Sequence, residues 1–304
     1  MATTAESPTL TREVVINAAP ATVHGFLVNP EKLVRWMGHS ARLEAHVGGA
    51  IEINYNGFDI MRGEYTEISP NRVSMTWGWE DNEALGPGQS HVTFDLVPQG
   101  SSTLLRLTHA GLPIEMQPQF GDGWDHFTTR LAAVVEGRDA GPDAWAPRKA
   151  ELIAGEVRQL MRETRALLSQ APGPALAGKS ASEGWTATAL GAHIAGHLAL
   201  AGLVQECIEG RSQFLANATL DDLDNANAER AGVAASLTRT DVLALFDDID
   251  GPLKAMREVP DEDLEKGMAV KFSPSGYITA GQLAEGPLLQ NVREHVASLR
   301  ATIA

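Results

Sequence analysis

The hydrophobic period of this 304-residue chain changes at residues 139–147, and this change limits the folds that the chain can adopt. Before the segment, apolar residues mainly alternate with polar ones, which predicts strands; after it, they recur every three or four residues, which predicts helices. The segment itself, Asp-Ala-Gly-Pro-Asp-Ala-Trp-Ala-Pro, has the glycine and prolines typical of a linker. We therefore expect a sheet-containing domain over 1–138, a linker over 139–147 and a helical domain over 148–304.

In the first domain, several short segments show the alternation of half-buried strands, and turn residues separate them. The alternating sets are Ile51, Ile53 and Tyr55; Val73, Met75, Trp77 and Trp79; Val92, Phe94 and Leu96; and Leu105, Leu107 and His109. A helical pattern that begins near Trp124 follows them and ends near Gly137. The expected fold class is α+β, with a curved antiparallel sheet around a long C-terminal helix.

Large aromatic residues fall on the inward face of this predicted sheet and on the apolar face of its final helix. In the simplest interpretation they fill the core. Alternatively, sheet and helix do not close completely and leave an aromatic-lined pocket that suits a small apolar or planar ligand. His109 would then place one polar group in the pocket. The candidate ligand-binding residues are Tyr55, Trp77, Trp79, His109, Trp124 and Phe127.

The second domain shows helical periodicity in four long segments, which together predict an all-α four-helix bundle. These segments are residues 149–170, 186–209, 239–257 and 280–302, and a further short or irregular helical stretch is expected within 217–230. Thr240-Asp241 and Thr279-Ala280 have the residue types that start helices.

Three histidines of the second domain lie where a metal site could form. His193 and His197 are four residues apart, so a helix places both imidazoles on one face, and that face is the apolar stripe. His295 has a similar position on the last predicted helix. Three imidazoles match the ligand count of a catalytic zinc site with an open water position. In the alternative interpretation, these are core histidines hydrogen-bonded to protein groups.

Four local motifs and the order of elements in the first domain carry a resemblance to a known family. The motifs are residues 30–36, 47–50, 63–73 and Gly123-Trp124, within a match over roughly 10–138. This half resembles the START-like (SRPBCC) helix-grip superfamily, in particular the branch named for the heat-shock ATPase activator homologues. The resemblance implies the helix-grip fold and a small hydrophobic ligand.

The second domain resembles the DinB-like bundle superfamily, including its mycothiol-dependent maleylpyruvate isomerase-like branch. The resemblance covers roughly 148–304 and rests on Trp185 eight residues before His193, on residues 224–227 before Arg230, and on the closing helix 288–300. It implies one divalent metal ion, zinc or nickel, held by positions that match His193, Asn291 and His295. Asn291 departs from the His or Glu usual there, and His197 could supply the missing nitrogen.

Three functions are compatible with these patterns. The first is a two-domain protein that binds a small hydrophobic ligand in the START-like domain and a divalent metal in the bundle. The second, implied by the resemblance, is a transferase or isomerase that depends on metal and a low-molecular-weight thiol, with no residue assigned a catalytic role. The third, which Asn291 favours, is a non-catalytic, stress-associated interaction protein.

Charge and composition argue against other classes of partner. The net charge of −15 and the absence of a basic run predict that the protein binds neither nucleic acid nor anionic membranes. The sequence contains no apolar run of about eighteen residues, so no membrane span is predicted. Residues 1–8 do not resemble a signal peptide. The single cysteine, Cys207, fits a reducing cytoplasm. A homodimer is expected because bundles of this kind often pair.

Overall fold

A computed structural model describes residues 9–304 of the chain, so the N-terminal octapeptide lies outside the described residues. The chain forms two compact units with a boundary after Ala146. Residues 139–146, predicted as a linker, belong to the first unit. There Asp143 accepts a hydrogen bond from His126 at 2.9 Å, and the Trp145 ring stacks on the His126 ring at a centroid distance of 4.5 Å.

The first unit contains one antiparallel sheet and one long helix. Its elements are β1 (Leu10–Ile16), α1 (Pro20–Val28), α2 (Pro30–Leu33), β2 (Ser40–Leu43), β3 (Ala50–Asn54), β4 (Ile60–Ser69), β5 (Arg72–Trp77), β6 (Ser90–Gln99), β7 (Ser102–Ala110) and α3 (Gln117–Val135). The seven strands lie in the order β1-β7-β6-β5-β4-β3-β2, and every neighbouring pair is antiparallel. The predicted α+β fold, with a sheet followed by a long final helix, is confirmed.

Alternation along the strands builds the core of this unit. In β7, Thr103, Leu105, Leu107 and His109 are buried, whereas the residues between them are not. The buried residues therefore share one face of the sheet. In α3, Trp124, Thr128 and Leu131 are buried at spacings of four and three, so they form one stripe of the helix.

The second unit is mainly helical. Its elements are α4 (Lys149–Gln170), α5 (Gly173–Leu176), α6 (Ala187–Gly196), α7 (Ala199–Ile208), α8 (Gln213–Asn217), α9 (Leu220–Ala234), α10 (Arg239–Ala244), α11 (Asp250–Arg257), β8 (Gly267–Ala269), β9 (Tyr277–Thr279), α12 (Ala280–Leu283) and α13 (Asn291–Ile303). The predicted helix 149–170 is present with those bounds. The structure divides the predicted helices 186–209 and 239–257 into two each, and it adds the β8–β9 hairpin, which the sequence did not predict.

The break between α6 and α7 has a local cause at His197. Its backbone N–H donates to the Ile194 carbonyl three residues back, in a 3-10 turn, instead of to the His193 carbonyl four residues back. Its Nδ1 lies 3.0 Å from that His193 carbonyl oxygen and replaces the missing backbone donor. The side chain of His197 therefore completes the hydrogen bonding of the helix end.

A π-helical segment, Ala284–Gln290, joins α12 to α13 and contains Pro287. Proline has no N–H, so the regular hydrogen-bond ladder cannot pass through this position, and a wider turn takes its place. Upstream, the run Ala187–Ile208 is long and apolar enough for a membrane span, with mean hydropathy 1.5, but 56% of that window is buried within the protein. A core helix satisfies the same criterion.

Candidate metal centre

Three histidines converge in the second unit. His193 lies on α6, His197 at its C-terminal end and His295 on α13. One nitrogen from each lies within 4.8 Å of the others, and the ring centroids are 4.7 Å apart for His193–His197 and for His193–His295. Nitrogens around tetrahedral zinc are about 3.3 Å apart, given a Zn–N bond of about 2.05 Å. Small side-chain rotations would thus bring the three nitrogens onto one ion.

Hydrogen bonds determine which ring nitrogen of His197 and of His295 is free to bind a metal. His197 Nδ1 faces the carbonyl oxygen of His193, and His295 Nδ1 lies 3.0 Å from Glu183 Oε1. Both partners are acceptors, so in the neutral rings Nδ1 carries the proton and donates. The lone pair then lies on Nε2 of each ring, where it can bind a metal.

The local environment keeps two of the rings neutral. Burial lowers the pKa of His193 to about 3, and the charges of His197, His295 and Arg230 lower it further against the opposite effect of Glu183. Burial also lowers the pKa of His197. Because a metal binds the unprotonated imidazole, lowered pKa values reduce competition from protons at neutral pH.

Glu183 supports the histidine group and was not predicted from the sequence. Its Oε2 accepts hydrogen bonds from Ser298 at 2.7 Å and Ser182 at 2.5 Å, while Oε1 contacts His295. Burial raises the pKa of Glu183, but hydrogen bonds from the serines and His295 outweigh it and lower the pKa to about 2. The carboxylate is therefore ionised and holds the His295 ring. No local spacing points to this contact, because the two residues are 112 positions apart.

Trp185, from the family motif, contacts the histidine group, whereas Asn291, the predicted amide ligand, is exposed. The Trp185 ring packs edge-on against His193 at a centroid distance of 4.9 Å, which gives the Trp185–His193 spacing a structural role. Asn291 is the first residue of α13 and is exposed. The group that the structure assembles thus contains His197 beside His193 and His295.

The aromatic residues predicted to bind a ligand in the first unit divide into two sets. Trp77, His109 and Trp124 are buried, and the last donates from Nε1 to His109 Nδ1 at 3.0 Å. His109 Nε2 lies 2.9 Å from Ser90 Oγ, so both ring nitrogens have partners. Burial lowers the pKa of His109 to about 3, and the charge of His91 adds to this effect. Trp124 and His109 are thus hydrogen-bonded within the core, and the Trp77 ring packs against both of them.

The other set is half-buried and lies next to that core. Tyr55 contacts Trp79 and Phe127 at ring-centroid distances of 5.3 and 5.8 Å. Burial, followed by the charge of Asp59, raises the pKa of the Tyr55 phenol. The Tyr55 phenol is thus desolvated, although its side chain, like those of Trp79 and Phe127, is only half-buried. Beside this set, Trp77 Nε1 is buried and has no hydrogen-bond partner among the described residues.

Both units match known families. Residues 17–136 match the model for Activator of Hsp90 ATPase homolog 1-like protein, and residues 157–283 match that for the mycothiol maleylpyruvate isomerase N-terminal domain. No curated protein matched the chain significantly.

Similar solved structures align with less than half of the chain. An AHSA1-like protein from Rhizobium etli is 41% identical over 47% of this chain and 91% of its own, with a TM-score of 0.39. The Aha1 dimer from Colwellia psychrerythraea is 19% identical over 43% and 97%, with a TM-score of 0.39. DynU16, from the dynemicin biosynthetic locus, is 22% identical over 44% of this chain, with a TM-score of 0.39, and the chain spans 49% of its length. The two family models thus match one unit each: the first unit is similar to the Activator of Hsp90 ATPase homolog 1-like family, and the second is similar to the mycothiol maleylpyruvate isomerase N-terminal domain, which is DinB-like.

Proposed function

We propose that the second domain binds one divalent metal ion, zinc or nickel, through His193, His197 and His295. The observation that carries this proposal is the convergence of three imidazole nitrogens, two of them with the proton held on the opposite side of the ring. Neutral imidazole suits both metals, and three protein ligands leave a coordination position open in a four-coordinate site.

The open coordination position would allow catalysis at the metal centre. A metal ion held by the three histidines would lower the pKa of a water or thiol bound at that position. The protein's own residues hold the ligand rings in place: Glu183 orients His295, and the His193 carbonyl orients His197. The resemblance to thiol-dependent isomerases favours a low-molecular-weight thiol as cosubstrate of a transferase or isomerase. If the purified protein contained no metal, that result would instead favour the non-catalytic interaction role.

Protein purified without an affinity tag and without chelators is expected to contain about one equivalent of zinc or nickel per chain, because the three histidines form one metal site. Elemental analysis by inductively coupled plasma mass spectrometry measures this. Dialysis against a chelator provides the metal-free control, and cobalt then reports the open position through a spectral change when 2-mercaptoethanol is added. Protein that holds no metal and takes up none at micromolar concentration would contradict the proposal.

We further propose that the first domain binds a small apolar, planar molecule at the recess formed by Tyr55, Trp79 and Phe127. The supporting observation is that the Tyr55 ring contacts those of both Trp79 and Phe127 while all three side chains remain half-buried. Half-buried aromatic surface is favourable for ligand binding because its burial removes apolar area from water.

N-phenyl-1-naphthylamine, a neutral fluorescent probe, is expected to bind this recess saturably, and Trp79→Ala to weaken its binding about tenfold through lost ring contact. Fluorescence titration measures both. Val15→Ala is the control, because Val15 is an apolar residue of the same domain that lies outside this aromatic set and is 52% exposed. Equal affinity of the wild type and Trp79→Ala would remove the recess as the binding site.

A further inference from the structure

Residues 139–146, which we call the strap, carry an exposed tryptophan that the first unit holds in one orientation. Trp145 is 51% exposed, yet one face of its indole ring stacks on the His126 ring at an interplanar angle of 13°. Because that face is covered, the exposed area lies on the opposite face and on the edges of the ring. An aromatic surface that is fixed in place and open to water is preorganised to bind another ring.

Polar contacts hold the strap on α3. Asp143 accepts hydrogen bonds from His126 Nε2 and from the backbone N–H of Trp145, both at 2.9 Å, and its second oxygen lies 3.4 Å from Arg130 Nε. Arg130 also donates from Nη1 to the carbonyl oxygen of Gly141 at 3.3 Å. The Asp143 carboxylate therefore joins two side chains of α3 to the backbone of Trp145, and this determines where the indole ring lies.

Trp145 also continues the aromatic recess proposed above. Its ring lies edge-on to the Phe127 ring at a centroid distance of 5.8 Å, Phe127 contacts Tyr55, and Tyr55 contacts Trp79. The four rings thus form a continuous series of contacts from Trp79 to the strap. A ligand with one ring system can be bound by the first three rings alone, whereas a ligand with a further ring extends to Trp145.

We propose that Trp145 is a specificity-determining residue of this recess, and that it selects planar apolar ligands in which a second aromatic ring is joined to the first ring system. The inference rests on the proposed ligand site and adds the chemical class of its ligand. The second ring increases affinity because its contact with Trp145 removes apolar area from water. Asp143 is a positioning residue: it holds the Trp145 ring where the second ring of the ligand can contact it.

The experiment compares two neutral ligands that differ by one ring: N-phenyl-1-naphthylamine, titrated by its fluorescence, and 1-naphthylamine, measured by competition with that probe. Trp145→Ala is expected to weaken binding of the larger ligand about fivefold and to leave that of the smaller one unchanged. Trp145→Phe is expected to restore most of the affinity, because it retains a ring. Trp79→Ala, in contrast, is expected to weaken both ligands, since that ring belongs to the recess itself.

Asp143→Asn tests the positioning role. It removes the ion pair with Arg130 and the charge on the acceptor of the His126 hydrogen bond, so the larger ligand is expected to bind about threefold more weakly and the smaller one as before. Asp139→Asn is the matched control. Asp139 belongs to the same strap, and among the described residues it accepts only from the Gly141 N–H, at 2.9 Å. This variant is expected to bind both ligands as the wild type does.

The outcomes separate this inference from the proposed ligand site. Equal losses for both ligands in Trp145→Ala, no loss for either, or tighter binding of the larger one would overturn the selectivity assigned to Trp145. If Trp79→Ala still weakened both ligands, the recess itself would stand. If the wild type bound neither ligand, both the inference and the proposed ligand site would be wrong. Thermal unfolding without ligand verifies that each variant is folded.

Discussion

Alanine substitution of His193, His197 or His295 is expected to weaken zinc binding by about 100-fold or more, whereas Asn291→Ala leaves it unchanged. Structural zinc sites with four ligands have apparent binding free energies of about 10–16 kcal/mol, so each ligand contributes roughly 3 kcal/mol. Isothermal titration calorimetry or chelator competition measures the change. His197→Ala is the decisive variant, because it separates the assembled group from the ligand set implied by family resemblance.

The control for this series is the stability of each variant without metal. His197 also bonds the His193 carbonyl, so its removal leaves that helix end without one donor. Circular dichroism and thermal unfolding in the presence of chelator distinguish a lost ligand from a lost fold. If Asn291→Ala abolished binding and folded His197→Ala retained it, the ligands would be His193, Asn291 and His295, and the proposed geometry would be wrong.

Glu183→Gln is expected to weaken zinc binding about 10- to 100-fold while His295 itself remains present. Carboxylates that accept from a metal-bound histidine orient the ring and increase its basicity, and their loss has effects of this size. Glu163→Gln is the matched control, because Glu163 binds Arg300 on the same helix α13 and does not touch a histidine. Unchanged affinity in folded Glu183→Gln would show that the His295 orientation does not depend on this carboxylate.

The same variant changes how stability depends on pH. Since the pKa of Glu183 is lowered to about 2 in the folded state, its stabilising effect is complete above its ordinary value near 4.5 and disappears as the pH falls towards 2. Discounted for solvent screening, the effect is about 2 kcal/mol. Denaturant unfolding should therefore show the largest difference between wild type and Glu183→Gln above pH 5 and little difference near pH 2.

The sequence predicted those parts of the fold in which a regular period continues without interruption. The α4 helix follows an unbroken amphipathic pattern and was predicted with its observed bounds, Lys149–Gln170. The break at His197 was missed because the apolar spacing continues across it. Its cause is one side chain that bonds a backbone carbonyl, which no periodicity records. The β8 and β9 strands have three residues each, too few to show alternation.

The candidate site was accessible to sequence reasoning only in part. The spacing of His193 and His197 is local, so a helix alone places them together. His295 could be added from its apolar position and from family resemblance. Glu183 could not be assigned a role, because only the folded chain brings it to His295, 112 positions away.

The arrangement of the three histidines also bears on how the second domain is held together. His193 and His197 come from one short stretch, whereas His295 follows His197 after 98 positions. An ion bound by all three would crosslink the first part of the domain to its last helix and close a loop of about a hundred residues, which restricts the unfolded chain. With Cys207 as the sole cysteine, no intramolecular disulfide can form such a link. A bound metal would therefore act as a reversible crosslink within this domain.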